Sequence, residues 1–99
     1  MMTFITYLKF TEQGIKAIKD VSRRNEASKA LVQKLGGRMV CGYVTTGKYD
    51  AISVIEMPNE ETMAKYSATL AVRGFVRTTT VRAFTPEEFG KLVTDIKFK

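Results

Sequence analysis

The stretch GYVTTGKYD, Gly42 to Asp50, decides how this chain is read. Its outline of glycine, four residues, glycine and lysine is the front half of a phosphate-binding loop. Such a loop needs Ser or Thr after the lysine to hold magnesium, and a helix whose N-terminus faces the phosphate. Tyr49 follows Lys48, and a strand-like run follows Tyr49. Tyr, Val and Thr between the two glycines favour extended backbone. The stretch therefore reads as a β-hairpin with Gly47-Lys48 at its turn.

The hairpin fixes its neighbours. Residues 38–46 form the second strand and residues 49–57 the third, with Pro58 stopping the latter. Before them, residues 3–10, TFITYLKF, read as the first strand. Ile5 and Tyr7 lie on one side, Phe4, Leu8 and Phe10 on the other, so both faces ask for cover. Thr11 caps a helical segment in which Ile15, Ile18, Leu31 and Leu35 recur at helical spacing. Gly14 and the polar KDVSRRNE predict a bend, and Gly36-Gly37 a C-cap. Asn59 with Glu60 and Glu61 opens a helix whose inner face is Met63, Ser67, Leu70 and Ala71. Residues 75–84 form the fourth strand. Thr85-Pro86-Glu87-Glu88 is a capping box that opens a short C-terminal helix. The order β-α-β-β-α-β is the ferredoxin-like α+β arrangement, an antiparallel four-stranded sheet with helices on one face.

Ninety-nine residues make a single domain, 1–99. No apolar run approaches the ~20 residues of a membrane span. The N-terminus lacks the marks of a signal peptide. One cysteine, Cys41, fits a reducing cytoplasm and reads as a small core residue. The chain has no histidine, which removes the usual general base and the usual metal or haem ligand. No metal and no cofactor is expected. The net charge of +6 is uneven: +5 over residues 9–38, −3 over 39–61 and +4 over 62–99. Solvated helix faces account for this more simply than an anionic partner does. The RGFV run, Arg73 to Val76, mimics an RNA-recognition strand, but it leads into the fourth strand rather than the third. Arg77, Thr79 and Val81 then stand where stacking aromatics would be needed, which argues against nucleic acid.

With these elements in place, TTGKYDAISVIEMPNEE resembles the GYD-domain family. The resemblance extends to Thr11, Gln13, Gly14, Arg24, Gly36-Gly37, Gly74, Arg77, Thr78, Thr80, Ala83 and Phe84. It implies a dimeric α/β barrel, in which two ferredoxin-like sheets pack open face to open face. The superfamily spans cofactor-free oxygenases, isomerases, haem enzymes and sensors, so fold alone does not choose among them.

Six residues are candidates for ligand binding: Tyr7, Tyr43 and Tyr49 as hydroxyl donors, Asp50 and Glu56 as acids, and Arg82 as a cation in a covered sheet. Each has a plainer reading. Asp50 can serve nearby backbone N–H groups, and Glu56 can pair with a basic residue on a neighbouring strand, such as Arg82. Six residues apart on one strand, the two acids are roughly 20 Å apart and cannot share a proton. The expectation is a cytoplasmic homodimer that binds a small molecule. The alternatives are a cofactor-independent oxygenase or isomerase acting on a phenol or enol, and an interaction protein with a filled barrel.

Overall fold

A computed structural model describes residues 1–97. The elements are β1 (Met2–Phe10), α1 (Glu12–Lys16), a 3₁₀ turn (Ile18–Asp20), α2 (Val21–Lys34), β2 (Arg38–Val44), β3 (Ala51–Met57), α3 (Glu60–Arg73), β4 (Val76–Ala83) and α4 (Pro86–Leu92). The four strands form one antiparallel sheet in the order β2-β3-β1-β4. This is the ferredoxin-like order, with the first and third strands central.

One face of the sheet carries the core. Phe4, Ile55 and Met57 from the strands meet Val32 of α2 and Met63, Tyr66 and Leu70 of α3, all nearly or fully buried. Each such side chain contributes about 1.5–3 kcal/mol of transfer free energy. Thr6 is also buried there, opposite Thr80, with the two hydroxyls 3.3 Å apart. A β-bulge between Met39 and Cys41 shifts the alternation of β2 by one residue, so that Met39 faces the helices and Cys41 faces away.

Caps behave as their chemistry dictates. Thr11 Oγ1 accepts from the Gly14 N–H, Asn59 and Thr62 cap α3 reciprocally, and Thr85 with Glu88 does so for α4. Gly74 ends α3 at φ 81°, in the left-handed region.

Several details differ from the sequence reading. The segment between β1 and β2 does bend, but Ile15 is 60% exposed and Ile18 43% exposed, because α1 is a single turn held away from the core. The helical segment reaches the core instead through Val32 of α2, the fully buried residue of that helix. On α3 the inner face is Met63, Tyr66 and Leu70, with Ala71 exposed; the spacing admitted both stripes, and the larger side chains went inward. The hairpin strands stop earlier, leaving a loop over 45–50 with Gly47 at φ 109°. Cys41 is half-buried on the far face of the sheet, outside the core.

Candidate functional site

The open face of the sheet is best seen through its register. One cross-strand row is Cys41, Val54, Ile5 and Val81; the next is Tyr43, Ile52, Tyr7 and Thr79. Outside these rows lie Arg38, Glu56, Thr3 and Ala83 at one end, and Lys9 beside Arg77 at the other. An apolar centre is thus bounded by charge at both ends. No described helix covers it. Tyr43 is 67% exposed and Val81 41% exposed.

The hairpin loop leans over this face. Tyr49 stacks on Tyr7 with ring centroids 4.9 Å apart and planes tilted by 38°. The Asp50 carboxylate accepts from the Phe10 N–H at 2.8 Å, its own N–H donates to the Leu8 carbonyl at 2.9 Å, and its carbonyl accepts from the Thr45 N–H at 2.8 Å. The Thr45 hydroxyl donates to the Tyr49 carbonyl at 2.7 Å. Gly47, Tyr49 and Asp50 together clamp the loop to the end of β1.

The six candidates therefore do not form one site. Tyr7, Tyr43, Tyr49 and Glu56 share the open face, with Tyr7 and Tyr49 in contact and Tyr43 in the same row. Asp50 lies at the loop and is engaged with backbone. Glu56 pairs with Arg38, at 3.0 Å, and not with Arg82. Arg82 is opposite Phe4 on the helix-side face, where alternation along β1 and β4 puts it out of reach of Glu56. Its guanidinium donates to the Thr3 and Ala83 carbonyls and lies 4.3 Å from the Phe84 ring centroid, so it braces the start of β1.

A second feature escaped the sequence reading. Between the N-terminal half of α2 and the helix-side face of the sheet is a cleft with two adjoining chambers, each of about 270 Å³. Leu8, Val44 and Ala51 line both chambers from the sheet, and Asn25 and Ser28 line both from α2. Arg24, Arg73 and Phe75 belong to the first chamber, Tyr66 and Ser53 to the second. The Arg24 guanidinium donates to the Ala17 carbonyl at 2.7 Å and sits 4.6 Å from the Phe75 ring centroid. Burial pushes the Tyr66 hydroxyl above its ordinary pKa, against a weaker opposing effect of the Ser28 hydroxyl. The signal for this cleft was present in α2. Its inward positions run Val21, Arg24, Ser28, Leu31, Val32, Leu35, and Arg24 and Ser28 interrupt the apolar stripe that the last three fill.

Comparison with known proteins agrees with this geometry. The family model of the GYD domain matches residues 4–93. A curated Thermus thermophilus protein, named glutamine synthetase and cystathionine beta-lyase binding protein, is 34% identical over 84 residues, spanning 84% of this chain and 88% of that one. The crystal structure of a Thermus thermophilus protein superposes with a TM-score of 0.54 at 21% identity, covering 86% of this chain and 95% of its own, a likeness of fold.

Proposed function

This chain belongs to the GYD-domain family, and from that premise we propose that it works as a homodimeric binding domain, closed by the open sheet faces of two copies. The carrying observation is the apolar centre of that face, Ile5, Ile52, Val54 and Val81 with Tyr7 and Tyr43, bounded by charged ends. An apolar core within a polar rim is how protein interfaces are built. A second copy is the occupant because a two-fold axis lets one surface satisfy itself without leaving an open edge. The single chain is also long and thin, 55 × 31 × 19 Å, and α4 leaves Phe89 and Leu92 exposed. These surfaces favour association over a solitary monomer. In this reading Tyr7, Tyr43, Tyr49 and Glu56 fall at the interface, where a hydroxyl or carboxylate meets the partner or a ligand enclosed between the sheets.

Light scattering after size exclusion is the test. The native chain is expected at twice its 11.1 kDa mass. Ile5→Glu, which puts a charge at the centre of the face, is expected to give a folded monomer, and Val72→Glu, on the 87% exposed outer side of α3, is expected to remain dimeric. A native monomer at about 10 µM, a concentration that a Kd of 1 µM would still populate as dimer, refutes the proposal.

The relative's name supports a second level to this reading: the dimer holds another protein. At 34% identity over most of both chains, a shared partner class is reasonable. Immobilised dimer would be challenged with glutamine synthetase and cystathionine beta-lyase from the same source organism. Saturable capture of either one supports a protein-docking role, and no capture of both removes it while leaving the dimer untouched.

A further inference from the structure

We infer that the cleft between α2 and the sheet is a binding site for a small apolar carboxylate, with Arg24 as its anion-binding group. The floor, Leu8, Val44 and Ala51, is apolar and belongs to the rigid sheet. The roof is the polar half of the inner stripe of α2. Each chamber is a little below the roughly 300–1,000 Å³ of small-molecule sites, and the joined pair falls within that range.

The charge at the cleft selects the ligand. Asp20 and Arg23 also line the first chamber, but they neutralise each other through two hydrogen bonds. Arg24 and Arg73 have no carboxylate within ion-pair distance among the described residues. Arg24 is half-buried and points inward, and a guanidinium has five N–H donors. Two face the Ala17 and Gly14 carbonyls, the latter at 3.5 Å, while stacking on Phe75 holds the plane. Arg24 lines the same chamber as the apolar floor, with donors left over for a ligand. A planar carboxylate takes such a fork with two parallel hydrogen bonds, and the attached hydrocarbon replaces water over Leu8, Val44 and Ala51. At the far end Tyr66 is 2% exposed and lines the second chamber, where its phenol and Ser28 offer hydrogen bonds to a polar group at the other end of the ligand.

This inference stands apart from the dimer, since the cleft is on the helix-covered face and the interface on the other. Failure of one leaves the other intact.

The probes are 4-phenylbutanoate and its uncharged analogue 4-phenylbutanol, titrated into ¹⁵N-labelled native protein. The carboxylate is expected to shift the amides of Arg24, Ser28, Leu70 and Phe75, and to bind roughly ten- to a hundredfold more tightly than the alcohol, the difference a charge-assisted pair confers. Arg24→Gln should remove that preference and leave the alcohol's affinity unchanged. Because Arg24 also holds the Ala17 carbonyl, Ala51→Leu gives an independent check: it fills the shared floor, so both probes should weaken while the spectrum stays folded. Equal affinity for the two probes, shifts confined to Tyr7, Tyr43 and Ile52, or no shift up to about 10 mM would overturn the assignment.

Discussion

Gly14→Ala separates two physical arguments that point in opposite directions. Gly14 is in the middle of α1, where alanine is the better helix former by about 1 kcal/mol. Helix propensity alone therefore says that the variant is more stable. Packing says the reverse. A Cβ on Gly14 would fall inside the van der Waals radius of the Phe75 carbonyl oxygen, with the Phe75 carbonyl carbon at 3.1 Å. Both atoms are backbone and cannot rotate away. The junction can yield only by separating α1 from the start of β4. That strains the Thr11 N–H bond to the Phe75 carbonyl, 3.1 Å, and the Thr11 hydroxyl bond to the Gly74 carbonyl, 2.6 Å. Overpacking costs about 1–3 kcal/mol, and two weakened hydrogen bonds cost about 0.5–1.5 kcal/mol each. With the propensity gain subtracted, the net is a loss of about 3 kcal/mol. Urea denaturation followed by far-UV circular dichroism is the assay, at one protein concentration throughout because the stability of any chain that associates depends on it. With a slope of about 1.5 kcal/mol/M, the midpoint should fall by about 2 M. Gly90→Ala in α4 is the control, since its Cβ meets nothing within 4 Å; it should gain up to about 1 kcal/mol. A Gly14→Ala protein as stable as the native one would refute the packing argument.

Asp50→Ala leaves the Phe10 N–H without its carboxylate acceptor and should cost about 1–3 kcal/mol, with faster amide exchange at Phe10 as the direct readout. Glu56→Gln breaks a pair whose arginine is 64% exposed; the change in urea midpoint should correspond to less than about 1 kcal/mol. Glu88 accepts from the Thr85 N–H, which with the Thr85 hydroxyl and Arg82 holds its carboxyl below the ordinary glutamate value. Its folded pKa is the depressed one, so the cap's contribution is complete above the ordinary carboxylate range and is lost as pH falls through the lower folded value. A carbon-detected NMR titration should give a Glu88 midpoint below the ordinary glutamate value, and Glu88→Gln should abolish the acid-dependent fraying of α4.

The order of elements was readable because each boundary had its own chemistry. Pro58, the Asn59 and Thr85 caps and Gly74 do locally what they do in any chain. Reading failed where two stripes of one helix were both plausible. Ser67 and Ala71 match helical spacing as well as Tyr66 does, and only the space above Ile55 and Met57 decides in favour of the large ring. It failed again at Ile15 and Ile18, where one turn of helix is too short for its period to set a face. Glu56 was given the wrong arginine because strand order, not sequence separation, brings Arg38 beside it and puts Arg82 on the other side of the sheet.

The same distinction governs the candidate sites. The residues that attract the eye in the sequence, Gly47, Tyr49 and Asp50, are engaged in holding a loop. Glycine provides the positive φ, the tyrosine ring seats on Tyr7, and the carboxylate replaces the strand partner that Phe10 lacks on its β3 side. Their spacing meets a hairpin's requirement. The cleft has the opposite character. None of its lining residues is unusual by itself, and Leu8, Val44, Ala51 and Ser28 would pass in any amphipathic segment. Its meaning arises from a mismatch along α2, where a helix that packs tightly through Leu31, Val32 and Leu35 continues past the end of its own apolar stripe. Folding is served by the packed half. The unpacked half keeps Arg24 half-buried, near an Asp20 carboxylate that is already engaged by Arg23. A helix that needed only to cover the sheet would place an apolar residue there, and that contrast is what points to the cleft as a binding site.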